Sequence, residues 1–330
     1  MTKRFDIITI GAATRDVFLR SAGIKIIRNE NFSTGEAECF ALGSKIEVQE
    51  LVFETGGGAT NTAVGFSRQG FRTAFIGKIG HQDARGQEVL RALRMEKVNV
   101  GLVTKDHQRG TAYSVLLLTS RGERTALVYR GASADFHPRD LPRREFRADW
   151  MYVSSLAGEL PIIRRIWNVA KKKKIRIAWN PGSSELAHGL SKLEPFLQQA
   201  DVVIMNQEEA ARLMKLTTSQ DDAPFQYLRR ITGGVTVVTM GTEGSFGGDR
   251  RSAWHCGTHH VHVVDTTGAG DAFGSGFVSA FIRDEDNISG ALQLGTENAE
   301  AVIRVIGAKA GLLQRHTAKR PAPVRSIIRR

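Results

Sequence analysis

A chain of 330 residues with 41% hydrophobic and 24% charged side chains can bury a large core, as about two units or as one large α/β unit with an appendage. Its two cysteines, Cys39 and Cys256, lie far apart and outside any CxxC spacing, which argues against a disulfide framework or thiolate metal site and favours a reducing cytoplasm. No apolar run approaches the ~20 residues of a membrane span, and the net charge of +12 has no recognisable RNA- or DNA-binding motif behind it, so neither a membrane nor a nucleic acid is the expected partner.

In chain order, "FDIITIGA" (5–12) is a short apolar run ended by Arg15 and Asp16, which reads as a buried first strand and not as a signal peptide. Residues 15–55 hold the extended pieces "DVFLRS" and "KIEVQELVFET", where Ile46 and Val48 alternate with charged neighbours. "RTAFIGKIG" (72–80) is a second core strand, and "GQEVLRALRMEKV" sets Val89, Leu90, Leu93 and Val98 on one helical stripe. Residues 111–130 read as two strands around "SRGE"; their half-polar alternation suits a small antiparallel sheet with one wet face.

Further along, "WMYVSS" (150–155), "IRIAWNPG" (175–182), "DVVIMNQ" (201–207) and "VTVVTMG" (235–241) are expected strands. The helical stretches "LPIIRRIWNVAKKKK" and "NQEEAARLMKL" lie between them, and the lysines at 171–174 complement a helix C-terminus. Strands alternating with helices imply a parallel sheet covered on both faces, with ligands at the carboxyl ends of the strands. The last seventeen residues, from 314, carry Arg315, Lys319, Arg320, Arg325, Arg329 and Arg330 and no acid; they read as a solvated basic tail.

The chemistry concentrates in "DTTGAGDAFGSGF" (265–277). The alternating "THHVHVVDTT" before it reads as a strand, and Phe273, Phe277, Phe281 and Ile282 after it recur at helical spacing. Residues 268–270 are then a strand-to-helix turn whose unpaired N–H groups attract anions, with Asp271 in the first helical turn. A plain helix cap explains the same residues. A dinucleotide turn fits poorly, since GxGxxG needs glycine where Phe273 stands, and a Walker A loop lacks its Gly-Lys-Ser/Thr. Phosphoryl transfer accounts for both features: fixed N–H donors stabilise charge on the moving phosphoryl group, while an adjacent carboxylate takes the proton of the acceptor hydroxyl.

"DTTGAGDAF" resembles the C-terminal signature of the ribokinase-like (PfkB) carbohydrate kinases, and "GGGATNTAVGFSRQG" (56–70) is similar to their glycine-rich N-terminal signature. "NQEEA" has the NxxE spacing of that family, and "VTMGTEGSF" resembles its nucleotide-contacting strand and turn. The resemblance implies a three-layer α/β/α core with a mostly parallel sheet and a small antiparallel β lid. It places a kinase domain over 1–313, with lid segments at about 15–55 and 111–130, before the basic tail 314–330.

It also implies ATP and Mg²⁺ as cofactors and a sugar or nucleoside as acceptor, with a homodimer formed through the lid. Asp271 would be the catalytic base, and Gly268, Ala269, Gly270 and Asp271 the anion hole. Asn206 and Glu209 would position Mg²⁺ and phosphates; Asp265 would sit beside a monovalent cation such as K⁺. Thr239, Gly241 and Gly244 would line the nucleotide groove, with Asn298 on its adenine wall. Asp16, Gly57, Gly58 and Asn61 would bind the acceptor. The chain departs from the ribokinase pattern at Thr14 (usually Asn), at Gly58 (usually Lys), at Ser154 and Ser155 (often acidic), and in "GHQDARG", one residue longer than GxDxxG. These departures touch the acceptor and leave the sugar open.

Overall fold

The computed structural model describes residues 4–32, 35–118, 124–142, 146–216, 222–315 and 321–327. The first third runs β1 (Arg4–Ile10), β2 (Thr14–Arg20), β3 (Lys25–Arg28), β4 (Glu36–Cys39), β5 (Glu50–Gly56), α1 (Gly58–Arg68), β6 (Thr73–Ile76), β7 (Lys78–Gly80), α2 (Ala84–Met95) and β8 (Thr104–Asp106). The middle adds β9 (Ala112–Leu118), β10 (Arg124–Tyr129), β11 (Arg147–Val153), α3 (Leu160–Lys173), β12 (Arg176–Trp179), α4 (Ser183–Leu186), α5 (Leu190–Leu197), β13 (Val202–Asn206), α6 (Gln207–Met214) and α7 (Ala223–Ile231). The last part holds β14 (Val235–Thr239), β15 (Ser245–Gly248), β16 (Ala253–Cys256), α8 (Ala269–Arg283), α9 (Ile288–Val302) and β17 (Val324–Ser326).

The main sheet has the order β17-β16-β15-β14-β13-β12-β11-β1-β6. From β14 to β6 the strands are parallel, and β15, β16 and β17 extend the sheet antiparallel. Its central strands are apolar on both sides. Ile8, Ile10, Met151, Val153 and Val203 enter one core, whereas Ile7, Trp150, Tyr152 and Val202 enter the other. Successive strand side chains point to opposite faces, so two covered faces demand runs without polar alternation.

α3, α5, α6 and α7 contribute to the first core; α8 and α9, with Phe66 of α1, contribute to the second. α3 ends at Lys174 in the left-handed conformation (φ 56°), with three lysines in its last turn where they oppose the helix dipole. On α8, Phe273, Phe277 and Phe281 stack with centroids 6.2 and 6.0 Å apart, giving the helix one aromatic edge against the sheet.

The stretches outside this alternation form a second sheet, β10-β9-β2-β5. It is antiparallel except for β2 and β9, which run parallel because the chain passes through the main body between them and makes no hairpin. The expected turn at "SRGE" lies outside the described residues.

Two expectations are corrected. Residues 258–264 form no strand: His259 is bound through its backbone N–H and ring to Glu300 of α9, Val264 N donates to Ile303 O, and the sheet edge beside β16 belongs to β17. Nor is the described part of the segment from 314 onward a solvated tail. β17 pairs with β16, Ala322 is buried, and Arg315 N donates to Arg68 O. Lys319, Arg320, Arg329 and Arg330 lie outside the described residues. Among those described, no helix is long and apolar enough to cross a membrane.

Candidate active site

Three consecutive glycines, 56–58, join β5 to α1, and each gives room to something specific. A Cβ on Gly56 would stand 1.8 Å from Asp16 Oδ2; one on Gly57 (φ 95°) would meet the Ala12 carbonyl; one on Gly58 would stand 3.0 Å from Asp271 Oδ1. The bend therefore brings the backbone up against two carboxylates that are distant in sequence. Asp16, on β2 opposite Glu54 and Ser114, is buried. Burial raises its pKa, while a hydrogen bond from Ser114 and the charge of Lys309 oppose the rise.

Asn61, one turn into α1, donates from Nδ2 to Asp271 Oδ2 at 2.7 Å. Its Oδ1 accepts from Lys309 Nζ at 2.6 Å, and the same ammonium donates to the Thr55 carbonyl. Asp271 itself has a pKa raised by burial and held back by Asn61 and Lys309. Burial also pulls Lys309 down to about 8, against the carboxylates of Asp16, Asp271 and Glu54. Asp16, Gly58, Asn61 and Asp271, predicted separately, thus share one cradle.

Gly268 caps α8 with φ 77° and packs on Ala308, where a Cβ would stand 2.3 Å from the Ala308 Cβ. Positive φ and lack of space both require glycine here. The N–H of Ala269 reaches Thr266 O at 3.3 Å, a long bond. Those of Gly270 and Asp271 have no backbone acceptor among the described residues, and the space over the Gly270 Cα is open. The anion-binding face therefore centres on Gly270 and Asp271.

Beside this face opens a cleft of about 290 Å³ lined by Thr239, Gly241, Gly244, Ala269, Gly270 and Thr296, among others. Its wall is mainly apolar carbon, as a stacked base needs, with backbone turns at the mouth. Asn298 is not on that wall. It is buried, donates to Ala272 O at 2.7 Å and accepts from Leu313 N at 2.8 Å, so it ties α9 to α8 and to the following segment. Thr296, Ala299, Glu300 and Ile303, on its other side, face the cleft.

Asn206 and Glu209 form a reciprocal capping box at the start of α6, Oδ1 accepting from Glu209 N at 2.8 Å and Oε2 from Asn206 N at 2.9 Å. Glu209 has a pKa raised chiefly by burial, and the buried Tyr152 hydroxyl is pushed up first by burial and then by the charges of Asp271 and Glu209. Asp265 is buried with both oxygens engaged: Oδ1 accepts from Thr267 N and Oγ1, and Oδ2 from Gly307 N. Geometrically it is a turn-former joining the loop before α8 to residue 307. Among the described residues no group of three or more His, Cys, Asp or Glu side chains is placed to hold a metal ion.

A pattern described as "pfkB family carbohydrate kinase" matches residues 19–315. The chain belongs to this family. Similar proteins include the ribokinase of Staphylococcus aureus (strain COL), 26% identical over 279 residues, 82% of this chain and 89% of that one. The fructokinase of Salmonella typhimurium is 31% identical over 239 residues, 68% and 76% of the two chains. Among solved structures, the adenosine kinase of Sinorhizobium meliloti superposes with a TM-score of 0.76 at 25% identity, covering 95% of this chain and 98% of that one. The ribokinase of Arabidopsis thaliana, complexed with ribose and ATP, gives 0.75 at 19% identity, covering 95% and 97%. The fold is ribokinase-like, and the protein is a sugar or nucleoside kinase of the PfkB family.

Two residues of this PfkB kinase's site escaped the sequence reading. Lys309 sits in "GAKAG", a lone lysine with no motif around it. Glu185, fully buried, accepts from Leu156 N at 2.6 Å, Gly158 N at 2.8 Å, Gly182 N at 2.8 Å and Ser155 Oγ at 3.0 Å. It fastens the loops after β11 and β12 to each other at the strands' carboxyl ends. "NPGSSE" offered only a capping-box hint, and nothing local shows which loop its glutamate serves.

Proposed function

We propose that the protein is an ATP-dependent kinase that transfers the γ-phosphate to a hydroxyl of a sugar, with Asp271 as general base and residues 268–271 as the anion hole. The observation carrying this reading is the two-sided placement of Asp271. Oδ2 is fixed by Asn61, Oδ1 lies over Gly58, and Gly270, just before Asp271, lines the cleft with an N–H that has no backbone acceptor among the described residues. The acceptor hydroxyl gives its proton to Asp271 as its oxygen bonds to the γ-phosphorus. The bond from that phosphorus to the bridging oxygen breaks, and ADP leaves with the electron pair. Burial equips Asp271 for this by raising its proton affinity above that of an exposed carboxylate.

Asp16, Gly57, Gly58 and Asn61 form the acceptor side of this reading, and Thr239, Gly241 and Gly244 the nucleotide side. Glu209 has one carboxylate oxygen outside its capping box, which fits a Mg²⁺ held mostly by phosphate oxygens and water, with Asn206 beside it. When bound, such an ion neutralises charge on the β- and γ-phosphates. Asp265, whose carboxylate accepts from three protein donors, would sit beside a monovalent cation such as K⁺ in this reading.

In this reading the domain expected over 1–313 also takes in β17, and the sheet β10-β9-β2-β5 is a lid that carries Asp16 and excludes water when the acceptor binds. Its exposed Leu51, Phe53, Leu127 and Tyr129 would pair two copies, which light scattering can check. The setting is cytoplasmic.

The test is ADP release from ATP and Mg²⁺ across a panel of free sugars and nucleosides. Turnover of a free sugar upholds the reading; turnover of adenosine or inosine alone replaces it with a nucleoside kinase on the same site. Without turnover of any acceptor the kinase assignment of this site fails.

A further inference from the structure

Lys309 lies on the segment after α9, where three successive residues each support a different part of the site. Gly307 N donates to Asp265 at the start of the turn, Ala308 packs under Gly268 at the helix cap, and Lys309 reaches Asn61 on α1. The lysine is buried, and the carboxylate charges that act on it come from four elements: Asp16 of β2, Asp271 of α8, Glu54 of β5, and Glu96 at the end of α2.

The amide of Asn61 stands between this ammonium and the Asp271 carboxylate. An ammonium has only protons to give, and a carboxylate only lone pairs. The atom facing Lys309 must therefore be Oδ1 and the atom facing Asp271 must be Nδ2; the flipped amide would lose both bonds and set oxygen against oxygen. Hydrogen bonds in series also polarise one another in a poorly solvated site, so the positive charge reaches Asp271 through the amide.

We propose that Lys309 is a positioning residue for phosphoryl transfer, fixing the orientation of Asn61 so that Asp271 is held ionised with Oδ1 turned toward the acceptor. This rests on the reading of Asp271 as the base. It also explains why the glycine-rich bend can carry glycine at 58: the positive charge enters the cradle from the C-terminal side of the chain. Loss of the Lys309 proton, near pH 8, would take its positive charge out of the cradle and weaken the constraint on Asn61.

The experiment compares the pH dependence of kcat/KM for the acceptor, which reports groups of the free enzyme, in wild type, Lys309→Met and Lys309→Arg. The wild type should show an alkaline limb at about 8. Lys309→Met should lose about tenfold or more in kcat with KM for ATP nearly unchanged, show no alkaline limb there, and have its acid limb moved up by about one unit as Asp271 loses a nearby cation. Lys309→Arg, which stays charged, should retain activity above pH 8.

Equal loss at every pH, with both limbs where they were, means that Lys309 is only a packing residue and overturns the proposal. If neither variant folds, the wild-type profile decides, because a flat response through pH 8 to 9.5 overturns it as well. Asp271→Asn separates the two readings. Full activity in that variant sinks both, whereas an inactive Asp271→Asn alongside Lys309 variants that keep both wild-type limbs sinks this inference alone.

Discussion

The two halves of the site are built from different materials. The acceptor half is made of buried or half-buried charged and amide side chains from separate parts of the chain: Asn61, Asp271 and Lys309 are joined by hydrogen bonds, and Asp16 acts on Lys309 through its charge. The nucleotide half is made of backbone turns and small side chains around a mainly apolar cleft, with Gly241, Gly244, Thr296 and Ala299 on its surface. A buried charge without a partner is costly, so each member of the first half depends on the rest. Backbone N–H groups and stacking surfaces carry no such dependence. Substitutions in the first half should therefore strike turnover and acceptor binding, and those in the second should be absorbed.

The strongest attempt to break this contrast is Asp271→Asn. Its kcat should fall by about 10²- to 10⁴-fold, with ATP affinity by titration calorimetry almost unchanged. A variant with wild-type kcat would show that the acceptor half is not where the proton goes. Next in size is Asp16→Asn, expected to raise KM for the acceptor about tenfold or more while leaving KM for ATP alone, as loss of a charge-assisted bond implies. Gly58→Ala should act in the same direction more weakly, since its Cβ would press on Asp271 Oδ1 at 3.0 Å.

The pH response sharpens the comparison. Burial raises the pKa of Asp271, and a base works only when deprotonated, so activity should fall as pH drops, at a pH above the ordinary carboxylate range. An acid limb at the pKa of an exposed aspartate would contradict the buried cradle. The smallest kinetic effect is expected from Asn298→Ala. It should cost about 1–3 kcal/mol in denaturant unfolding, because Leu313 N loses its acceptor, yet leave KM for ATP within about twofold.

How far the sequence discloses this structure depends on how local each determinant is. The central strands and α8 were legible because burial on two faces and helical periodicity are written in consecutive residues, as in "FDIITIGA" and the Phe273, Phe277, Phe281 series. The Gly-Ala-Gly-Asp turn was legible for the same reason. "THHVHVVDTT" misled because alternation shows which side chains share a side, but not whether a strand edge is available; Glu300 and β17 had already decided that. Asn298 misled by rotation, since one helix carries both cleft-facing and inward-facing residues. Lys309 was illegible because its partners, Thr55 and Asn61, lie 254 and 248 residues away. The segment around Ala322 read as a tail because positive charge masked the few apolar residues that dock it.

Glu185 has a practical consequence for redesign. One carboxylate serving four donors from two loops works like mortar between bricks, invisible in use and hard to replace without rebuilding the wall. Libraries that aim to change which alcohol is taken should diversify Ser154 and the surface around Asp16, and leave that glutamate untouched.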